Sequence, residues 1–497
     1  MNADVIVVGG GASGAVVARR LAEAPDLSVL LVEAGPSDEG REDILRLRDW
    51  FALLEDAVTS VPYPIEPQPH ANSALLHSRA RVLGGCSSHN AGIALRAPDV
   101  DLERWAAVAG PTWGPEGTAQ AWNRVFDTVG VSPASSRNPL AVAVVDAARQ
   151  IGLSLIESWG RAVPSGVGWL PLNALHGRRQ SSSAAYLHPL ASLPGNLTVL
   201  PSTPVQRIEL DDAGTAVAVH TARGALVARH EIILCAGAFE TPKLLMLSGI
   251  GPAGELARHG LPVRVDVPAV GTHLLDHPET IVTWSTSRPV PDDGDQFWEV
   301  GLFADTERGL TMAHVGTKPA VPLSYPQPAH GLSIIPNAAW PRSEGRVTLR
   351  SADPADLPRV DPAYLTDPAG DDLAVLVAGV RLARELAATP ALAPWLEAEV
   401  APGRACTSTA ELERYVRDTL ATVHHPGGTA RMGDPDNEST VVGPDLRVRG
   451  VRGLRVADAS IFPTLTTVNP CLTCMMIGEH AAGIVADSVG AVAVTPT

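Results

Sequence analysis

The sequence predicts a mixed α/β fold, with helices packed on a sheet that begins at the N-terminus and a second domain built from segments inserted within the chain. Three observations carry this. The β-branched run Asp4-Val5-Ile6-Val7-Val8 leads through a glycine-rich turn into an alanine-rich helical stretch that reaches about Glu23. Strand-like runs recur at about 197–200, 205–210, 217–221 and 231–235, a spacing that suits an antiparallel meander. A further strand at about 454–456 lies near the other end, and 497 residues are too many for one ordinary domain.

The turn after the first strand is Gly9-Gly10-Gly11-Ala12-Ser13-Gly14. Gly9 permits the tight turn, Gly11 lets the backbone approach a pyrophosphate, and Gly14 lets helix and strand pack closely, with the helix N-terminus aimed at the anion. A second strand, Val29-Leu30-Leu31-Val32, ends in Glu33, about 20 positions past the last glycine, where a carboxylate accepts ribose hydroxyls. Strand, turn, helix and acid in register define a Rossmann-like dinucleotide site. Nicotinamide and flavin dinucleotides share the ADP half, so this motif leaves the choice between them open.

Composition excludes other classes. With 54 acidic against 38 basic side chains the net charge is −16, and no basic block stands out, so a nucleic-acid backbone is repelled rather than recruited. No apolar run approaches the roughly 18 residues of a membrane span, and the first strand leaves no room for a signal peptide. The expectation is a soluble, cytoplasmic protein whose five cysteines, Cys86, Cys235, Cys406, Cys471 and Cys474, stay reduced.

Later elements are read from periodicity. A helix is expected from Pro242, and another from about Asp371 to Ala388 with Leu373, Leu376, Val377, Val380 and Leu386 on one stripe. Proline-rich stretches at 286–292 and 317–328 read as loops or edges, where one domain hands over to another. Asn469-Pro470 before the apolar run to Val489 suits an N-cap with proline at N1. Cys471 and Cys474 lack the second ligand pair that zinc requires, and the tandem His424-His425 lacks helical metal spacing, so no metal is expected.

The strings Arg81-Val82-Leu83-Gly84-Gly85-Cys86-Ser87-Ser88-His89-Asn90 and Gly237-Ala238-Phe239-Glu240-Thr241-Pro242, the latter running on to Pro252, resemble the two signatures of the glucose-methanol-choline family of flavin-dependent alcohol oxidoreductases. His425-Pro426-Gly427-Gly428-Thr429, Val456-Ala457-Asp458-Ala459-Ser460 and Thr467-Val468-Asn469-Pro470 agree, so the likeness spans nearly the whole chain. It implies a discontinuous Rossmann-like FAD-binding domain over 1–143, 182–297 and 423–497, and an inserted substrate-binding domain over 144–181 and 298–422 built on an antiparallel sheet.

The same resemblance implies site roles. Gly9, Gly11, Ala12, Ser13, Gly14, Glu33, Leu83, Gly85, His89, Asn90, Val205, Asp458, Ala459 and Pro470 fall at cofactor positions, and His89 matches a histidine joined covalently to FAD in some members. His425 and Asn469 fall at the catalytic positions. They suit the chemistry, because imidazole exchanges a proton near neutral pH and an amide donates without titrating. Trp50, Glu299, Trp340, Val423 and His424 fall at substrate positions, and Trp50 with Glu299 would make an ammonium site. Ala91, His424 and Trp340 depart from the usual residues, and the segment between about Ser132 and Pro139 is short. The implied reaction takes a primary alcohol, with amine- or ammonium-bearing ones as first candidates, to its aldehyde, with O2 reduced to hydrogen peroxide. An acceptor-linked dehydrogenase and a hydroxynitrile-lyase-like enzyme are the alternatives, and a homodimer is the implied assembly.

Overall fold

The strand Asn2–Val8 is buried over Val5–Val8 and lies between two parallel neighbours, Val29–Val32 on one side and the C-terminal half of Gly224–Leu234 on the other. Parallel strands covered on both faces need continuous apolar runs, which Val5-Ile6-Val7-Val8 and Val29-Leu30-Leu31-Val32 supply. In the computed structural model, which describes residues 1–133, 138–292, 294 and 296–490, this seven-stranded sheet runs in the order 197–200, 29–32, 2–8, 224–234, 216–221, 205–210, and Leu454–Val456 also pairs with 224–234. Residues 134–137 of the shortened segment lie outside the described residues.

Two sequence expectations change here. Leu197–Leu200 is not part of a meander but runs parallel to Val29–Val32 at the far edge. The antiparallel ribbon starts at Val205, and its long last strand turns parallel where it meets Asn2–Val8. The helix expected from Pro242 begins earlier and spans Gly237–Leu247, with Gly237 in the left-handed region at φ 83° and Pro242 inside it. That proline removes the N–H that would bond the carbonyl of Ala238. Thr429 replaces it, donating its hydroxyl to that oxygen at 2.6 Å.

The second sheet is eight-stranded, with a spine in the order 396–401, 282–286, 331–338, 309–316, 298–306, 166–169 and antiparallel pairing throughout. Helix Asp371–Ala387 buries Leu373, Leu376, Val377, Val380 and Leu386, as its stripe predicts, in the apolar cluster that also holds Val282, Val300, Val315 and Ile334. Helix Pro139–Gln150 joins that cluster through Leu140, Ala141, Val144 and Val145, so a boundary at 143 divides one helix, and the strands Pro278–Glu279 and Val282–Thr286 hydrogen-bond in the second sheet although they precede 297.

One small ladder joins the two regions. Pro278–Glu279 pairs antiparallel with Ala421–Thr422, and the N–H of Val423 donates to the carbonyl of His277 at 3.2 Å. This sets His277 and Glu279 against the chain that runs on to His425. The last helix, Cys471–Val489, lies against the first, Gly14–Leu21: a Cβ on Gly478 would stand 2.6 Å from the carbonyl oxygen of Ser13, and Arg20 Nε reaches both carboxylate oxygens of Glu479 at 2.9 Å. The N-terminal end of that helix is thereby fixed relative to the glycine turn.

Candidate active site

A cavity of about 1030 Å3 runs from the glycine turn to the second sheet, and its wall includes Gly9, Glu33, His89, Asn90, His425 and Asn469. Backbone approach explains its N-terminal end. A Cβ on Gly14 would stand 1.9 Å from the Gly9 carbonyl oxygen, and one on Gly85 would stand 2.7 Å from Gly11 Cα. The N–H groups of Gly10 and Gly35 each donate to Glu33 at 2.7 Å; burial still pushes its carboxyl up to about 7. Ala12, Ser13, Val205, Ala459 and Pro470 line the same wall. Asp458 also lines it, accepting from Gly237 N at 2.8 Å, Thr241 Oγ1 at 2.7 Å and Ser460 N at 2.8 Å. Gly14 and Leu83 stand behind the wall, Leu83 fully buried against Gly10.

His89 is 4% exposed, lines the cavity, and its Nδ1 has no hydrogen-bond partner. Burial, helped by the charges of Arg79 and Arg179, holds its pKa well below the ordinary imidazole value. In a neutral imidazole one of the two ring nitrogens carries a lone pair, which can act as a nucleophile. Asn90 accepts from Arg179 Nη1 at 2.9 Å and from Gly92 N at 3.0 Å, which fixes the strand of chain that carries His89.

His425 and Asn469 meet. Asn469 Nδ2 lies 3.3 Å from His425 Nε2, and Asn469 Oδ1 lies 3.3 Å from His314 Nε2. The other side of His425 faces a second imidazole, with Nδ1 2.9 Å from His277 Nδ1, while His277 Nε2 lies 3.2 Å from the carbonyl oxygen of Ala339. Burial lowers the pKa values of His277 and His314 to about 4 and holds that of His425 well below its usual value, with His277 lowering the last further. All three rings are neutral at pH 7. Asn469 is not the N-cap expected from its sequence, because that position is Pro470 with no side-chain cap, so its amide is free to serve the histidines.

The second sheet supplies the remaining wall. Trp50, stacked on Phe297 at 5.3 Å, lines the cavity with Trp298, Val423 and His424. His424 sits in the left-handed region at φ 63°, a turn that separates the two consecutive imidazoles: His424 Nδ1 lies 3.4 Å from His77 Nδ1, away from His277. Two expected substrate residues lie elsewhere. Glu299, 1% exposed, is outside the wall, whereas its neighbour Trp298 is on it. The ladder is irregular between Trp298 and Val300, and a one-residue shift moves a side chain to the opposite face. Trp340 also lies off the wall, its Nε1 donating to Thr467 Oγ1 at 2.6 Å and its ring covered by Arg104 at 4.5 Å.

The carboxyl that does line this end is Glu279, pushed up to about 8 by burial and then by the charge of Asp276. With His277, His314 and Asp276 it was not read from the sequence. The string Asp276-His277-Pro278-Glu279 was the available signal, four polar or punctuating residues directly before the β-branched run at 280–283.

The cavity volume, the glycines without room for a Cβ and the buried His89 on the wall fit an adenine dinucleotide, and His425 and Asn469 line the same cavity. The fold and site define a flavin-dependent oxidoreductase. The comparisons agree: profiles of the GMC oxidoreductase family match residues 3–279 and 341–478, and the chain belongs to that family. It is an FAD-dependent enzyme that oxidises CH–OH donors. The chain is 44% identical over 516 residues to choline oxidase of Arthrobacter globiformis, covering 97% of this chain and 94% of that one. It is 32% identical over 538 residues to an alcohol dehydrogenase [acceptor] of Pseudomonas putida, covering 98% and 96%. Among solved structures, pyridoxine 4-oxidase from Mesorbium loti superposes with a TM-score of 0.89 at 30% identity, over 97% of this chain and 99% of that one. Among the described residues no helix is long and apolar enough to cross a membrane, and no group of three or more His, Cys, Asp or Glu could hold a metal.

Proposed function

We propose that this enzyme is an oxidase for primary alcohols that carry an amine or quaternary ammonium group, releasing the aldehyde and passing the electrons to O2. The observation that carries the reading is the pairing of His425 Nε2 with Asn469 Nδ2 at 3.3 Å on the wall of the cofactor cavity. Bound FAD supplies the acceptor for the hydride that leaves the carbinol carbon. His425, neutral in its buried setting, takes the hydroxyl proton, and the Asn469 amide donates to the oxygen as negative charge grows on it. At 3.3 Å their mutual contact is at the weak end of hydrogen bonding, so a substrate hydroxyl displaces it at small cost.

The faces of Trp50 and Trp298 with the carboxyl of Glu279 give a cation its two preferred partners, a π-system and an acid. The similarity to choline oxidase supports this class of substrate. Glu279 yields a pH prediction. Its carboxyl is neutral below about 8 and ionised above it. The KM for an ammonium-bearing alcohol should therefore fall as pH rises through this region, while the KM of a neutral alcohol of the same length stays level; parallel pH profiles for the two would remove Glu279 from recognition.

His89 is proposed to hold FAD through a covalent bond to its imidazole ring, which lines the cavity. After acid precipitation the yellow colour should remain with the polypeptide, and His89→Ala should release it; wild-type colour found wholly in the supernatant rejects the bond. The function itself is tested by anaerobic mixing with ammonium, amino, sugar and aromatic alcohols. The first two classes should bleach the flavin band, and in air each aldehyde formed should be matched by one hydrogen peroxide. Aldehyde formed in air only when an artificial acceptor is added would instead favour the dehydrogenase to which the chain is 32% identical. The five free cysteines accord with a cytoplasmic setting.

A further inference from the structure

The hydrogen-bond chain through His425 has a direction, set by one group that cannot change role. The carbonyl oxygen of Ala339 only accepts, so His277 Nε2, 3.2 Å away, carries a proton and donates it. A neutral His277 then has a bare Nδ1. The 2.9 Å contact between His277 Nδ1 and His425 Nδ1 must be donated from His425, which leaves His425 Nε2 as a lone pair. Asn469 completes the sequence: Nδ2 donates to that lone pair, and Oδ1 receives the proton of His314 Nε2 at 3.3 Å. Reversing the chain would set the His277 Nε2 lone pair against a carbonyl lone pair in a fully buried position, leaving both without a donor.

We infer that His277, held by the Ala339 carbonyl, is a positioning residue that fixes His425 in the tautomer whose Nε2 lone pair faces Asn469 and the cavity. His277 is not on the cavity wall, so it acts through His425. The inference rests on the reading of His425 as the base and specifies which nitrogen works. The alcohol O–H bond breaks, its proton goes to Nε2, its electron pair stays on oxygen to form the aldehyde C=O as hydride leaves the carbon, and the resulting imidazolium keeps its Nδ1–H bonded to His277. The lone pair of His277 thereby also stabilises the cation. Burial of His77, His277, His314 and His424 around His425 means that neutral rings rather than charges face it, apart from the carboxylate of Asp276 on its backbone N–H.

The test is 15N NMR of the histidine-labelled holoenzyme at pH 7, with His425 identified by the signals lost in His425→Gln. Nε2 should show the shift of an unprotonated ring nitrogen and Nδ1 that of a protonated one. His277→Phe keeps a ring edge-on to His425, where the two imidazoles now sit 5.2 Å apart at 80°, but removes the acceptor. It should average the two nitrogen shifts and lower kcat/KM by about 10²-fold. His277→Asn, whose Oδ1 offers an acceptor near the place of Nδ1, should recover at least about tenfold of that loss and restore the split shifts. A protonated Nε2 in the wild type, or a folded His277→Phe with unchanged shifts and rate, overturns the inference. If His277→Phe does not fold, the wild-type spectrum and His277→Asn decide. Full activity in His425→Gln would reject the base reading itself, which the shifts keep separate from the role of His277.

Discussion

His425→Gln should lower the anaerobic rate of flavin reduction by about 10² to 10⁴-fold, the range a positioned general base supplies, or about 3 to 5 kcal/mol of barrier. The flavin should stay bound, because the cradle formed by Gly9, Gly11 and Glu33 belongs to the opposite end of the cavity. Substrate affinity should change little, since the aromatic faces and Glu279 remain. The pH dependence has a defined sign. Burial lowers the His425 pKa, so the base form persists into mild acid, and its loss should appear only as pH falls below the ordinary imidazole value of about 6.5. A variant within threefold of wild type, or an acid limb centred above that value, would place the proton acceptor elsewhere.

Asp276→Ala should cost about 3 to 5 kcal/mol of stability at pH 7 and most of the activity. The carboxylate is 5% exposed and accepts four hydrogen bonds: His77 Nε2 at 3.0 Å, Tyr364 Oη and Thr422 Oγ1 at 2.5 Å each, and the backbone N–H of His425 at 2.8 Å. Burial alone would raise its pKa, but His77, Thr422 and Tyr364 outweigh that and hold it well below the usual carboxylate range. A depressed pKa makes this stability present above the unfolded value of about 3.9 and lost as pH falls below it. Urea unfolding of wild type and Asp276→Ala should thus converge in strong acid. Asp276→Asn keeps the shape and one acceptor and should cost less. A loss under about 1 kcal/mol for Asp276→Ala at pH 7 would contradict the role of this carboxylate.

The sequence displays the features that local chemistry imposes. Gly9, Gly11 and Gly14 are legible because their spacing follows from one turn, and the stripe on Asp371–Ala387 because a helix repeats its own geometry. His425 and Asn469 were legible by family likeness, and their meeting needs both sheets. His277 and Glu279 were not, since their importance arises from the two-residue ladder with Ala421–Thr422, a pairing no local pattern announces. Glu299 stands off the cavity wall for the complementary reason: which side of a strand a residue faces depends on register, and an irregular ladder begins at Trp298. The edge strand Leu197–Leu200 was misread because four apolar or β-branched residues look alike in parallel and antiparallel partners.

The central claim is that His425 Nε2 and Asn469 Nδ2 together receive the reacting oxygen beside the flavin. A crystal structure of the holoenzyme with an unreactive ammonium-bearing carboxylic acid tests it most directly. The account predicts one ligand oxygen within hydrogen-bond distance of both nitrogens, about 2.6 to 3.2 Å, with the cationic end against Trp50 and Glu279. A ligand and flavin ring bound in the cavity with neither nitrogen in reach of that oxygen would contradict it.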